Sequence, residues 1–144
     1  MIVLDAMLGR LSKYLRLLGY DLIIVSNELS DDSIIQQYGN YLILTRDRNL
    51  AKKAPRSIYV NSDIVTEQTK EVLPVLPKPE HEKFSLCTIC GNPLIEVLSR
   101  DNLPDYVPKD KDRIYYCSKC NKYYWYGSHL RNFIQSMGKI GIEI

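Results

Sequence analysis

The four cysteines of this 144-residue chain fall into two Cys-x-x-Cys pairs, Cys87/Cys90 and Cys117/Cys120. Two intervening residues let both sulfurs of a pair turn toward one point about 2.3 Å away, the zinc–thiolate distance. Two pairs therefore supply the four thiolates of a closed, tetrahedral zinc site. This arrangement predicts a zinc ribbon. Disulfides or a redox Cys-x-x-Cys are the alternatives, but redox motifs occur singly and nothing here indicates secretion. A closed zinc site is structural, so any catalytic chemistry must lie elsewhere.

Aspartates follow the short apolar segments in the first half of the chain. Asp5 and Asp47 come at or just after the ends of two apolar runs, Asp31 and Asp32 open a helical segment after another, and Asp63 follows a fourth. Carboxylates suit hard cations such as Mg²⁺ and Mn²⁺, which support phosphodiester hydrolysis. The alternative for each acid alone is an ordinary helix-start or surface charge. Asp5 and Asp47 are favoured as ligands because a buried carboxylate is costly without a partner.

The elements that would position these acids alternate along residues 1–76. Apolar runs predict strands at 2–4, 21–26, 41–44 and 57–60, and helical patterns fill 6–18, 30–38, 49–54 and 63–73. This alternation predicts an α/β fold, a parallel sheet flanked by helices. Parallel strands place their carboxyl ends at one edge of the sheet, so the acids are expected to converge there.

Basic residues accompany the acids. The first predicted helix carries leucines on one face and three cations on the opposite face: Arg10, Lys13 and Arg16. These cations could form the solvated side of the helix or hold a phosphate backbone. Arg46 and Arg48 flank Asp47 and could either contact phosphate or pair with the acids.

The second half of the chain reads as a small appended domain. Residues 77–83 are polar and contain prolines, which predicts a linker between a domain at 1–76 and a zinc ribbon with a helix and tail at 84–144. The aromatic run that includes Trp125 is most often packing in so small a unit, and stacking on unpaired bases is the alternative. Trp125 and His129 are therefore candidate RNA contacts, although local hydrogen bonding also explains His129.

Charge and hydropathy bound the partners and the location. The formal charge of +2 falls to about zero once four thiolates and one zinc ion are included, so nucleic-acid binding would depend on local patches. The beginning of the chain does not read as a secretory signal, and no apolar run is long enough to span a membrane. The expected location is the cytoplasm.

Together these segments resemble a known family, the PIN-like RNase domain with an appended zinc ribbon, named after the C-terminal part of the mut-seven exonuclease. The resemblance covers nearly the whole chain and rests on residues 5–11, 15–21, 30–32, 44–48, 50–51, 124–129 and both cysteine pairs. It implies a PIN-like α/β fold and metal-dependent RNase activity. Asp5 matches the first acid, Asp47 the acid of the Thr-x-Asp element, and Asp31 or Asp32 the second acidic position. Small stand-alone members are common in archaea.

Two functions follow as hypotheses. The first is a ribonuclease that uses Asp5, Asp31, Asp32 and Asp47 with catalytic Mg²⁺ or Mn²⁺, and whose structural Zn²⁺ ribbon aids binding of RNA or a partner. The second is a non-catalytic protein that binds RNA, ribosomal RNA or the ribosome through the same surface. A toxin-like nuclease restrained by a partner protein is a weaker third hypothesis.

Overall fold

A computed structural model describes residues 1–144, and the chain forms two compact units, Met1–Gly91 and Asn92–Ile144. The first unit contains the parallel sheet and its helices. The second contains a small antiparallel sheet and one long helix. The domain boundary drawn from the sequence at 77–83 stays a prediction.

The first unit is built on a four-stranded parallel sheet in the order β2-β1-β3-β4. Its strands are β1 Ile2–Leu4, β2 Leu22–Ile24, β3 Leu42–Thr45 and β4 Ser57–Tyr59. Its helices are α1 Gly9–Leu17, α2 Asp31–Tyr38, α3 Arg48–Lys53 and α4 Val65–Val72, with short 3-10 turns at Ala6–Leu8 and Leu73–Val75. The predicted α/β fold, a parallel sheet flanked by helices, is confirmed.

The sheet is buried because helices pack against it in two pairs. Helix α2 contacts α3, and α1 contacts α4. Val3 and Ile43, which are partners in the β1–β3 ladder, pack with Ile34 of α2 and Leu50 of α3 in one apolar cluster. All three residues of β1 are buried, as expected for a central strand of a parallel sheet.

Helix α1 buries the predicted leucine stripe, since Leu8, Leu11, Leu15 and Leu18 are all less than 5% exposed. Arg10 and Lys13 are exposed, but the assignment of Arg16 to the solvated face is wrong. Arg16 is only 6% exposed, and its guanidinium donates to the carbonyls of Thr88 and Ile89. Helical periodicity predicts a face but cannot show that a distant segment covers it.

Hydrogen bonds hold the proline-bearing segment after α4 against the end of α1. The amide of His81 donates to the Gly19 carbonyl (3.0 Å), and that of Phe84 donates to the Leu17 carbonyl (2.8 Å). The Tyr20 hydroxyl donates to the Pro77 carbonyl at 2.7 Å. Burial raises the pKa of the Tyr20 hydroxyl, and the Glu80 carboxylate adds to this rise. Residues 77–84 are therefore fixed to the end of α1 rather than loosely extended. We call them the strap.

The second unit has the topology of a ribbon. Strands β5 Ile95–Glu96, β6 Ile114–Cys117 and β7 Lys122–Trp125 pair antiparallel in that order. Helix α5, Ser128–Lys139, follows the sheet, and it is the helix predicted after the ribbon. Residues 140–144 lie outside the sheet.

The helices give no candidate for a membrane span, because none combines sufficient length with sufficient apolar character.

Candidate functional site

Asp5 lies at the carboxyl end of the central strand, and three hydrogen bonds hold its side chain. The residue is 8% exposed. Its Oδ1 accepts from the Met7 amide at 2.8 Å, and its Oδ2 accepts from the Thr45 hydroxyl at 2.5 Å and the Arg46 amide at 2.8 Å. Two oxygens offer about four lone-pair sites, so this carboxylate is fixed in place and keeps capacity for one further partner.

Asp47 lies two residues beyond the end of β3 and caps helix α3. Its Oδ1 accepts from the amides of Asn49 (2.9 Å) and Leu50 (3.4 Å), the usual role of an aspartate at the N-cap of a helix. Its Oδ2 accepts no hydrogen bond within the chain, and the residue is partly exposed. The cap orients the side chain, and one carboxylate oxygen remains available to a ligand.

Thr45 connects these two aspartates, and it is not among the site residues predicted from the sequence. Its buried hydroxyl donates to Asp5 Oδ2 and accepts from the Asp47 amide at 2.9 Å. The signal that could have found it is a hydroxyl residue at the buried end of a strand beside the first acid's strand. Thr45 thereby fixes the Asp5 carboxylate relative to the backbone of Asp47, at the start of α3.

The remaining aspartates occupy other parts of the first unit. Asp31 and Asp32 stand in the first turn of α2, behind the N-cap Ser30. Asp63 is exposed in the loop after β4. Across the whole chain, the four cysteines are the only group of three or more His, Cys, Asp and Glu residues whose ligand atoms come close together. The catalytic roles of Asp5, Asp31, Asp32 and Asp47 stay predictions.

The loop after β4 is held from two sides. Glu71 of α4 accepts from the amides of Asn61 (2.9 Å) and Ser62 (3.0 Å). The Arg46 guanidinium donates to the carbonyls of Val60 (3.4 Å) and Asn61 (3.1 Å). Arg46 therefore ties the ends of β3 and β4 together. The sequence offered two alternatives for Arg46, contact with phosphate or pairing with an acid. Its guanidinium does not pair with a carboxylate.

Arg48 has a similar local partner. Its guanidinium carbon lies 5.2 Å from the centroid of the Tyr59 ring, and its Nε donates to the Tyr59 hydroxyl at 3.3 Å. Arg48 remains exposed. The stacked arrangement leaves other guanidinium donors at the surface near the carboxyl end of β4.

Two open clefts lie beside the first turn of α1. The first, about 350 Å³, is bordered by Met7, Gly9, Arg10, Asp63 and α4. The second, about 440 Å³, is bordered by α1, Ile24 and the two residues between the first cysteines, Thr88 and Ile89. Gly9 and Arg10 border both clefts. A continuous surface therefore runs along the first turn of α1.

The cysteines form a compact group of metal ligands. None of the four cysteines forms a disulfide, and their sulfurs all lie within 4.8 Å of one another, so they can surround one tetrahedral zinc ion. The residue after each pair, Gly91 or Asn121, has a positive φ, and the Cys120 amide donates to the Cys117 sulfur at 3.4 Å. This set of donors fits a structural metal ion such as zinc.

The aromatic candidates lie in the second unit. The Trp125 ring is half-buried and lies 6.1 Å from the Tyr106 ring, which also packs edge-on against Tyr123 at 6.3 Å. His129 is exposed in the first turn of α5. Packing between rings is therefore present, and RNA contacts by Trp125 and His129 stay a prediction.

The family of the chain follows from a comparison with protein-family models. Residues 1–137 match the Mut7-C RNAse domain. The chain therefore belongs to the Mut7-C RNAse domain family, as the resemblance indicated. Comparisons with curated proteins and with solved structures return no match.

Proposed function

We propose that this protein is a metal-dependent ribonuclease whose active site lies at the carboxyl edge of the parallel sheet. The observation that carries the proposal is a pair of oriented aspartates, in which the Thr45 hydroxyl links the Asp5 carboxylate to the Asp47 backbone amide, in a chain of an RNase family. Sites of open α/β sheets lie at this edge.

The donor set at this edge fits a hard divalent cation. Mg²⁺ usually keeps several waters and binds through one or two carboxylates plus substrate phosphates. Asp5 has one lone-pair site remaining and Asp47 a whole carboxylate oxygen, so these two residues would hold Mg²⁺ or Mn²⁺. Such an ion would supply a water nucleophile at neutral pH and stabilise the charge on the leaving oxygen.

The chain's own residues would position the RNA. Arg10 is exposed at the border of both clefts and Lys13 at the border of the second, so they would contact phosphates of the substrate. Arg48 would do the same at the end of β4. Asp31 or Asp32, at the start of α2, would approach the site from the β2 side of the sheet. Arg16 is left out of this surface because it is buried.

The ribbon would serve the RNase unit as a structural appendage. Zn²⁺ held by Cys87, Cys90, Cys117 and Cys120 has no open position for substrate. Its role would be to fold the ribbon and to present Trp125 and His129 to RNA or to a protein partner. Cytoplasmic RNA is the expected substrate.

The test is cleavage of single-stranded and structured RNA by the zinc-loaded protein with added Mn²⁺. Asp5→Asn and, independently, Asp47→Asn should each lower the cleavage rate by about 100-fold or more, the scale of losing one charge-stabilising group. Asp105→Asn, an exposed change in the second unit, is the matched control and should cleave like the wild type. Cleavage that is unchanged in both site variants would show that the activity is a contaminant or lies elsewhere.

A second candidate is an RNA- or ribosome-binding protein that does not cleave. The observation that favours it is that no third acid joins Asp5 and Asp47 in a close metal-ligand group. It predicts co-sedimentation with ribosomal subunits and no change of melting temperature on addition of Mn²⁺. The ribonuclease predicts a Mn²⁺-dependent rise in melting temperature that Asp47→Asn abolishes.

A further inference from the structure

A groove beside α1 combines cationic and apolar side chains in the first unit. Its volume is about 440 Å³. Arg10 and Lys13 of α1 are exposed at its border. Ile24, at the end of β2, and Ile89, within the first cysteine pair, also border it and are 39% and 52% exposed.

This mixture matches the two chemical parts of a nucleotide. Single exposed isoleucines are ordinary on protein surfaces, but here two border one groove that also carries two cations. A phosphodiester is held by cations, whereas the face of an unpaired base packs against aromatic or apolar side chains. A paired base is stacked inside a duplex and cannot reach such a surface, so the groove favours an unpaired strand.

The groove is preformed, because α1 holds the first cysteine pair in place. Arg16 Nη1 donates to the Ile89 carbonyl at 2.7 Å and to the Thr88 carbonyl at 3.3 Å. Gly91 has φ +81, and a Cβ there would come within 3.1 Å of Arg16 Nε. Since these contacts fix Ile89 beside α1, little ordering is needed when a ligand binds.

The groove also continues from the carboxyl edge of the sheet. Gly9 and Arg10 belong both to it and to the cleft that Met7 and Asp63 border. The Met7 amide in turn binds Asp5. A strand whose scissile phosphate lies near Asp5 can therefore run over Arg10 into the groove.

We infer that this groove is a subsite for one nucleotide of single-stranded RNA adjacent to the cleavage position, with the phosphate on Arg10 and Lys13 and the base on Ile24 and Ile89. The inference rests on the proposed RNA-directed function and adds the strandedness of the substrate. It also gives the segment between the first two cysteines a role in substrate binding, through the Ile89 side chain.

The first experiment compares binding of an unstructured oligouridylate with binding of a blunt RNA duplex. Fluorescence anisotropy on the full zinc-loaded chain, without added Mg²⁺ or Mn²⁺, reads binding without cleavage. Ile89→Ala and Ile24→Ala should each weaken binding of the single strand by about threefold to fivefold, less than the loss of an aromatic stacking partner, and leave the duplex unaffected. Val75→Ala, at a 59% exposed apolar residue of the same unit, is the matched control and should bind like the wild type.

The second experiment separates phosphate contacts from base contacts through salt. Lys13→Ala should lower the slope of log affinity against log salt by about 0.7, the value for one phosphate of a single strand. Ile89→Ala should weaken binding without changing that slope. Lys53→Ala, at an exposed lysine of α3, should change neither quantity.

The outcomes distinguish the subsite from the proposed function. If Ile89→Ala and Val75→Ala weaken binding equally, or if the Ile89 change weakens duplex binding as much as single-strand binding, the subsite is wrong while Mn²⁺-dependent cleavage can still stand. If the wild type binds neither RNA, both fail. If the single strand binds as predicted but no cleavage occurs with Mn²⁺, the subsite stands and the ribonuclease fails.

Discussion

Thr45 shows how one small side chain organises the candidate site. Its hydroxyl is both donor and acceptor, so it serves the Asp5 carboxylate and the Asp47 amide at once. A valine has nearly the same shape but can make neither bond. The buried Asp5 carboxylate would then lose one of its three donors.

We expect Thr45→Val to lower the free energy of unfolding by about 1–3 kcal/mol, the cost of leaving a buried polar group without its partner. Urea denaturation measures this change. Thr69→Val is the matched control: Thr69 is equally buried, but its hydroxyl bonds only to the Val65 carbonyl within α4, so the loss should be smaller. Equal losses in the two variants would contradict the bridging role.

For single residues, the sequence predicts which side chains lie at the edge of the sheet, but it does not predict which distant groups those side chains contact. The strand-end rule placed Asp5 and Asp47 at the same edge of the sheet because both directly follow or nearly follow apolar runs. It could not show that Arg16 is buried, since the carbonyls that cover it lie more than seventy residues away. Contacts at that separation are set by packing, which a local pattern does not encode.

At the scale of elements, α1 and the strap define the first unit. The strap approaches the end of α1 so closely that a side chain at Gly19 has no space. Gly19 has φ +97, and a Cβ there would lie 2.1 Å from the His81 carbonyl oxygen. That oxygen belongs to the backbone, so relief requires the strap to move.

Gly19→Ala should therefore destabilise the protein by about 2 kcal/mol or more, since backbone strain and a steric clash act together. Gly9→Ala, at the start of α1, is the matched control. Its φ is −60, and its surroundings are open, so it should be neutral or add up to about 1 kcal/mol. Chemical denaturation of both variants measures the difference. A mild effect of Gly19→Ala would mean that the strap is not held at the end of α1.

The sequence located every strand and helix of the first unit because their apolar periods are clear and glycine, proline or polar turns separate them. Element ends differ by a few residues: the predicted strand at 21–26 is β2 Leu22–Ile24, and the predicted helix at 63–73 is α4 Val65–Val72. The strap was expected to be only a linker. Its composition is that of a loop, and the hydrogen bonds that fix it use backbone groups, which every sequence possesses.

At the scale of the whole molecule, the chain combines one unit with a buried sheet and one that depends on few core residues. In residues 92–144 the buried apolar side chains are Val107, Ile114, Phe133 and Met137, with Cys117. So small a core needs further stabilisation, and a structural zinc ion contributes folding free energy directly.

We expect chelation of the proposed zinc to unfold residues 92–144 while the sheet of residues 1–76 stays folded. Hydrogen exchange resolved by peptide should show loss of protection in β6 and β7 and retained protection in β1 and β3. Cys117→Ser, which removes one ligand, should give the same pattern without chelator. Simultaneous loss of protection in both regions would show that the boundary predicted at 77–83 is wrong.

Trp125 is the only tryptophan of the chain, and it lies in β7 beside the ring of Tyr106. Its indole nitrogen lies so near Gly127 that a Cβ there would come within 2.9 Å. Light absorbed by tryptophan but not by the eleven tyrosines therefore excites a single fluorophore in the ribbon. The intrinsic fluorescence of this indole therefore reports on the folding of the ribbon in the intact chain, without any attached dye.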